Sequence, residues 1–432
     1  MLRVHVFSCK WPKDEADALN RESGRIYSRV LVNHYRVYRH SDHWLSCYAA
    51  KKLDDFYRVD DSPLLHSHSI DAAQEGFYRA LKTAQVNRRN GIEVRYPYQR
   101  KRYRTTIWKE SGIRVRDGFL LLSRAKGLEP ICVPLPSLLT PWPEEAFREA
   151  RLVWNRAARH YEWHLVVEDG TLPPDEPSGD GVAAIDLGEI HPVTISDGQE
   201  TIVISARALR ANRQYTAQRL SEIQRQQGVK VKGSRAWRRL QRRKNRFLAQ
   251  QKRRARDIEH KVSRAVVDVA VERSIGTLVI GDVRDVADGK RLNRVGQQKI
   301  SSWSHGRQRQ YIEYKAEAEG IEIPDVMDEA YSTQTCPQCG ERHKPTGRVY
   351  ICPACGFVSH RDAVGSANIL SRYVYGDVGH VVPPSTVKYR QPFGRADEHE
   401  TEWPFTLQRE GKRSPLDTGQ VASAGVASPP RL

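Results

Sequence analysis

The sequence is poor in sulfur, with seven cysteines and two methionines in 432 residues. Cysteines so few and so unevenly spaced exclude a secreted disulfide scaffold. No apolar run approaches the roughly 18 residues that a membrane helix requires, so a membrane-spanning helical protein is excluded as well. The first residues, Met1 to Pro12, carry neither a secretory apolar segment nor a small-residue cleavage site. What the chain has in excess is positive charge: 70 Lys and Arg against 52 Asp and Glu, a formal net of +18. Hydrophobic residues reach 39 %, enough for packed cores and too many for wholesale disorder. At this length the cores divide among two or three domains. Together these features predict a basic, intracellular, multidomain protein.

The excess charge is concentrated. Between Arg207 and Arg264 stand 20 Lys or Arg and 3 Asp or Glu, a local net of +17, which leaves the rest of the chain at +1. A solvated helix face usually alternates in sign, and this segment does not. Charge of this density releases counterions from a phosphate backbone and favours nucleic acid without specifying its sequence. An acidic membrane surface could attract it too. However, Leu240, Phe247, Ala255, Ile258, Val262, Ala265 and Val269 recur mostly at three- and four-residue steps, as a stripe facing a protein core does. Nucleic acid, and no membrane, is therefore the predicted partner. Arg238, Arg239, Arg242, Arg243 and Arg246 are the predicted contacts.

Residues 1–175 read as mixed structure, with short β-rich runs at Arg29–Val32, Gly118–Leu122, Leu152–Trp154 and Tyr161–Val167 around a helical stretch at Ala72–Gln85. From Arg88 to Trp108 aromatics and basics interleave, a mixture that suits stacked bases or an ordinary amphipathic strand equally well. The stretch Asp169–Gly181, rich in Pro, Gly, Ser and Asp, reads as a linker. Beyond it, Val182–Leu187, His191–Ser196 and Thr201–Ser205, with an Asp197-Gly198 turn, predict an antiparallel meander. The basic helical region, a strand at Thr277–Val283, a helix around Ile300–Glu319, a strand at Ile321–Val326 and a helix from Asp362 to Tyr375 follow. The order β-β-β-α-β-α-β-α predicts a mixed α/β sheet with helices on both faces, the order of the RNase H-like fold. Past residue 375 periodicity is lost, and the composition predicts a disordered tail over 376–432.

Two Cys-x-x-Cys pairs, Cys336/Cys339 and Cys352/Cys355, are separated by twelve residues, and each is followed by a glycine (Gly340, Gly356). Four thiolates at this spacing suit a tetrahedral Zn²⁺. A full shell of sulfur leaves no open position, so such a zinc is structural. Cys9, Cys47 and Cys132 are isolated. Two acids also stand out. Asp186 lies in an apolar strand, where a carboxylate must be solvated, paired or metal-bound. Asp362 opens the last helix, where it could be an ordinary N-cap.

Ala184-Ile-Asp-Leu-Gly, the basic helix, Leu278-Val-Ile-Gly-Asp-Val, Ala330-Tyr-Ser-Thr-Gln-Thr-Cys-Pro-Gln-Cys-Gly and His360-Arg-Asp with Ala367-Asn-Ile-Leu occur in an order that resembles the TnpB family. These are transposon-encoded, RNA-guided nucleases related to type V CRISPR effectors and to Fanzor proteins. The likeness covers residues 180–372. It implies a RuvC-like nuclease domain over 176–335, an inserted zinc ribbon at 336–355 and a closing RuvC-like helix within 356–375. A wedge β-barrel with a helical recognition part is implied over 1–175. It also implies a guide RNA, a double-stranded DNA target read beside a short motif, and a cytoplasmic protein that joins the nucleoid when bound to DNA.

The resemblance breaks at Gly281, where most of the family carries a catalytic glutamate. Cleavage by two ions roughly 4 Å apart needs several carboxylates. Glu329 is the predicted replacement, relocated as in Fanzor proteins and some TnpB branches; Asp282, Asp285, Asp325 and Asp328 are alternatives. Asp186, Glu329 and Asp362 are thus the predicted catalytic residues and Mg²⁺ ligands. A second break is Val364, where the family commonly has Asn. Two other functions compete with the endonuclease: a nuclease-inactive, RNA-guided DNA-binding repressor, and a transposase acting in strand transfer.

Overall fold

The N-terminal third packs helices against two antiparallel sheets. Its elements are β1 (Leu2–Ser8), α1 (Lys13–Ser41), α2 (Cys47–Leu53), α3 (Ser67–Arg89), β2 (Thr106–Lys109), β3 (Ile113–Arg116), β4 (Phe119–Leu122), β5 (Ile131–Pro134), β6 (Phe147–Asn155) and β7 (His160–Glu168). The computed structural model describes residues 1–53, 62–174, 176, 178–283, 293–324, 327–392 and 401–404. One sheet has the order β1-β7-β6-β2 and the other β3-β4-β5. The strand predicted at Arg29–Val32 is instead part of α1. Leu19, Ile26, Tyr27, Val30, Leu31 and His34 are all buried along that helix, so tertiary burial of a stripe overrides the β preference of Val. Buried Asn20 ties α1 to the neighbouring strands β6 and β2: its Nδ2 donates to Leu152 O at 3.1 Å, and its Oδ1 accepts from the Thr106 N–H at 2.9 Å. The interleaved segment after Arg88 forms no strand before Thr106. In it, Arg88 stacks on Tyr96, while Arg21 and Arg102 lie over Tyr103.

The remainder forms the predicted mixed sheet. The meander appears as β8 (Gly181–Asp186), β9 (Val193–Ser196) and β10 (Thr201–Ile204), antiparallel throughout. At the turn, Asp197 Oδ1 accepts the N–H groups of Gln199 and Glu200, and Gly198 takes φ +87°. The basic region forms a helical hairpin, α4 (Arg207–Gly228) and α5 (Arg235–Glu272), with Ser234 capping α5 through the Trp237 N–H. Then come β11 (Ile275–Asp282), α6 (Arg294–Ser302), α7 (His305–Ala318), β12 (Met327–Asp328), β13 (Val349–Ile351), β14 (Val358–His360), α8 (Arg361–Tyr375), β15 (Thr386–Arg390) and β16 (Thr401–Pro404). The sheet order is β12-β11-β8-β9-β10-β15-β16. On one face Val262, Val266 and Ala270 of α5 and Ile312 and Ala316 of α7 pack on Ile185 and Leu278; on the other, Ile369 and Leu370 of α8 pack on Ala184 and Val279. A buried Glu259 joins the helices on the first face, held by Arg213 of α4 and by Arg307 and Ser304 of the α7 N-terminus.

Two expectations need correction. Among the described residues, the strand expected at Ile321–Val326 contributes a parallel bridge from Glu322 to Thr277, and the paired strand follows, with Met327 opposite Gly281 and Asp328 opposite Asp282; residues 325 and 326 lie outside the described residues. Asp325 and Asp285 lie outside the described residues. The chain past residue 375 is not uniformly without structure: β15 adds to the sheet in parallel beside β10. Val387 is buried against Val203 and Ala363, Arg390 forms a two-nitrogen ion pair with Glu272, and Lys388 pairs with Glu200. The strand was obscured because only every second residue faces the core and its basic residues are neutralised by acids distant in sequence. Residues 393–400 and 405–432 lie outside the described residues. Val387→Asp, which buries a charge without a partner, should cost about 2–4 kcal/mol, measured as a loss in denaturant midpoint.

Candidate metal centres

The four ribbon cysteines come together. Cys336 Sγ lies 3.7 Å from Cys355 Sγ, and Cys339 Sγ 3.6 Å from Cys352 Sγ. A tetrahedron with Zn–S bonds of about 2.3 Å has edges of about 3.8 Å, so the set fits zinc without rearrangement. Gly340 and Gly356 both take φ +75°, which closes the two thiolate turns; each glycine N–H donates to the carbonyl of the first cysteine in its pair. Burial pushes the Cys336 thiol up to about 12, so a cation is what would keep that sulfur as thiolate. The ribbon docks on α8 through Cys336, Tyr350, Cys352 and Val364. This gives Val364 a role: it is fully buried against the ribbon, where the amide of Asn would need partners.

The acidic residues gather at one edge of the sheet, where β8, β11 and β12 run parallel and end together. Ile185 is level with Ile280, so the next residues, Asp186 and Gly281, stand side by side on adjacent strands. Glu329 follows β12 and leans across. A Cβ built on Gly281 would lie 2.8 Å from Glu329 Oε2 and 3.3 Å from Glu329 Cβ. The carboxylate of Glu329 therefore fills the space that a side chain at position 281 would enter. From the opposite side, a Cβ on Gly365 of α8 would lie 2.6 Å from Asp186 Oδ2 and 2.9 Å from Thr333 Cγ2. Only glycine lets the helix come this close, and that approach brings Asp362, 9 % exposed, to the same edge.

Burial, reinforced by the negative charge of Asp362, raises Asp186 to about 7. A carboxyl raised above its unfolded value near 3.8 costs the fold stability as pH climbs between those two values. Asp186→Asn should therefore raise the melting temperature of magnesium-free protein at about pH 8. The gain should vanish well below the unfolded value of 3.8, where the unfolded and folded states hold the proton alike. An equal gain at both pH values would show that Asp186 is not under this strain.

Asp362 is held by the ribbon. Arg348, just before β13, directs Nη1 at both carboxylate oxygens, 2.8 and 2.7 Å away. The backbone N–H of Asp362 donates to His360 Nδ1 at 3.3 Å. His191, His360 and Asp362 place one donor atom each within 4.8 Å of one another, as do the four cysteines. Burial pushes His191 down to about 4 despite the neighbouring Asp362, and lowers His360 as well, so both rings are neutral at pH 7. Tyr389 of β15 packs edge-on against both rings, at 5.8 and 6.3 Å. Asp186, Glu329 and Asp362 reach this edge from β8, the end of β12 and α8, three separate elements. Of the alternatives, Asp328 is exposed and pairs with Arg372, and Asp282 follows Gly281 on β11. Arg348, His191, Tyr331 and Tyr389 were not singled out in the sequence; Arg348, placed between the two cysteine pairs, was the one with a positional signal.

Residues 164–287 match the family described as "Probable transposase", and residues 305–369 match the "Cas12f1-like, TNB domain". These matched stretches make the chain similar to TnpB-family proteins and their Cas12f1 relatives. It is 29 % identical over 113 residues to the CRISPR-associated endodeoxyribonuclease Cas12f1 of Sulfoacidibacillus thermotolerans, and 25 % identical over 129 residues to a TnpB-like protein of Methanocaldococcus jannaschii. Those matches take in 26 % and 29 % of this chain and 25 % and 45 % of those proteins, so the chain spans less than half the length of either. A longer match, 28 % over 84 % of this chain and 87 % of its counterpart, is to a "Putative RNA-guided DNA endonuclease" of Streptomyces pristinaespiralis. In fold the chain is similar to Cas12f1 in a Cas12f1–sgRNA–target DNA complex, with a TM-score of 0.56 over 83 % of each chain and 13 % identity. The fold is thus α/β and RuvC-like, with the ribbon inside the stretch that matches the TNB domain.

The predicted nucleic-acid contacts are placed as a surface. Arg238, Arg239, Arg242, Arg243 and Arg246 are all exposed on α5. Arg239, Arg242, Arg243 and Arg246 line one groove with Phe247, whose ring meets Tyr215 of α4 edge-on at 5.8 Å. No described helix is long and apolar enough to cross a membrane.

Proposed function

We propose that this chain is an RNA-guided DNA endonuclease of a transposable element, with Asp186, Glu329 and Asp362 as its catalytic residues. The observation that carries this is the Glu329 carboxylate seated over Gly281, level with Asp186. It supplies the missing acid from a neighbouring strand. Mg²⁺ held by these three residues would activate water and neutralise charge on the scissile phosphate. Asp186 and Glu329 approach from the sheet and Asp362 from the helix, so a phosphate entering the edge meets carboxylates from both sides. Arg348 neutralises Asp362 in the protein alone and is placed to turn toward a phosphate oxygen when a divalent ion takes over that charge.

The remaining parts fit that assignment. Residues 1–175 would serve as the wedge and recognition part, 176–335 with 356–375 as the nuclease body and 336–355 as the ribbon. Guide pairing would read the target and the protein a short adjacent motif. Neutralising Arg238, Arg239, Arg242 and Arg243 together should weaken RNA binding and reduce its salt slope by about three units. An unchanged slope in a filter-binding titration removes these residues from the interface.

A repressor without nuclease activity is the second reading, favoured by the Arg348 clamp on Asp362. The deciding experiment is to purify the protein with its co-expressed RNA and supply guided duplex with Mg²⁺ or Mn²⁺. Cutting supports the endonuclease. Tight binding without cutting supports the repressor, and joining of strands supports a transposase.

A further inference from the structure

Two residues beyond Glu329, the backbone does something that local sequence does not require. Tyr331 takes φ +64°, a left-handed conformation that is costly for an aromatic residue and free for glycine. Everything around it is pinned. Arg372 donates to the carbonyls of Asp328 and Ala330, Asn368 donates to those of Ser332 and Thr335, and the Tyr331 carbonyl accepts from the N–H groups of Gln334 and Thr335. Ser332 and Thr335 are buried. The ring of Tyr331 alone turns outward and is 48 % exposed. It does not leave the acidic edge, because Glu329 on one side reaches over Gly281 and Thr333 on the other touches Gly365 beside Asp186. Two residues of chain span at most about 7 Å, so the Tyr331 backbone lies beside the acidic edge.

One face of that ring is covered by a cation. The guanidinium of Arg342, from the ribbon, lies 3.7 Å from the ring centroid, and no carboxylate pairs with it among the described residues. A ring held outward in a strained backbone, with an uncompensated cation flat against it, contributes little to the core that a glycine would not. Strain maintained by surrounding hydrogen bonds marks function more often than packing. An aromatic face and an unpaired guanidinium side by side are what an unpaired nucleotide binds: the base stacks and the phosphate pairs.

We infer that Tyr331 and Arg342 form a stacking platform for an unpaired nucleotide of the DNA strand entering the acidic edge. This rests on the nuclease reading for the identity of the strand and deepens it by naming how that strand is gripped. The platform holds the nucleotide beside the scissile phosphate, so a strand that remains paired cannot be seated.

The test uses the full chain with its co-expressed RNA, Ca²⁺ in place of Mg²⁺, and a short single-stranded DNA carrying 2-aminopurine. The expected result is quenching on binding, retained in Tyr331→Phe and Tyr331→Trp. Tyr331→Gly should abolish the quenching and weaken binding about tenfold, while its melting temperature holds or rises because glycine accepts the conformation. Arg342→Gln should keep the quenching and lower the salt slope by about one unit. Unchanged quenching in Tyr331→Gly overturns the platform. A lower melting temperature with unchanged binding does so too, since the ring is then structural. Preference for an RNA oligonucleotide of the same sequence overturns the assignment to the substrate strand. A protein that quenches through Tyr331 yet never cuts guided DNA with Mg²⁺ or Mn²⁺ supports the platform and refutes the nuclease.

Discussion

Glu329→Gln is expected to reduce Mg²⁺-dependent cleavage of guided DNA on the order of a thousandfold or more while leaving guided binding nearly intact. The substitution keeps size and hydrogen-bonding capacity and removes only the charge that holds a divalent ion. Asp186→Asn and Asp362→Asn should be as severe, and combining them should add little, because groups that share metal ions act as one unit. The geometry also predicts a rescue. Gly281→Glu alone should fail, since its Cβ would lie 2.8 Å from Glu329 Oε2 and 2.9 Å from Ile369 Cδ1. Combined with Glu329→Ala, the first of these obstacles is gone, and what must still give way is the far end of Ile369 and, by a few tenths of an ångström, the β-carbon at 329, 3.3 Å away. The double variant should then recover part of the activity that Glu329→Ala alone lacks. Full activity in Glu329→Gln, with loss in Asp282→Asn, would transfer the third carboxylate to Asp282.

The second large effect concerns the ribbon. Cys339→Ser or Cys355→Ser should release zinc and unfold residues around 336–355, because a structural site of this kind is worth on the order of 10–16 kcal/mol of apparent binding free energy that is also folding free energy. The damage should travel. Arg348, which holds Asp362, and Arg342, which covers Tyr331, both project from the ribbon, and Val364 packs the ribbon onto α8. Cleavage should therefore fall together with zinc content, measured by metal analysis. Wild-type protein purified without chelator and containing no zinc would sink the assignment.

These expectations differ in how they were reached. The cysteine pairs needed no structure: two Cys-x-x-Cys turns and their glycines are local features, and local geometry alone forces the thiolates together. The meander, the basic helices and the parallel strands were legible for a similar reason, since each buries one stripe or face with its own period. Arg29–Val32 misled because Val and Leu favour both a strand and a buried helix stripe, and only packing against the neighbouring sheet and α3 chose between them. The strand Thr386–Arg390 was missed because its partners, Glu200, Glu272 and Val203, are more than a hundred residues away.

The acidic edge divides along the same line. Sequence by itself determined which acids were available, because an acid in an apolar strand is visible residue by residue, and the resemblance to the TnpB family marked position 281 as lacking one. Tertiary structure alone decided that Glu329 lies over Gly281, that Gly365 admits α8 to Asp186, and that Arg348, His191, His360 and Tyr389 surround Asp362. Those contacts join β8, β11, α8, the ribbon and β15, and distances between separate elements are set by how their cores pack and not by any local preference of the chain.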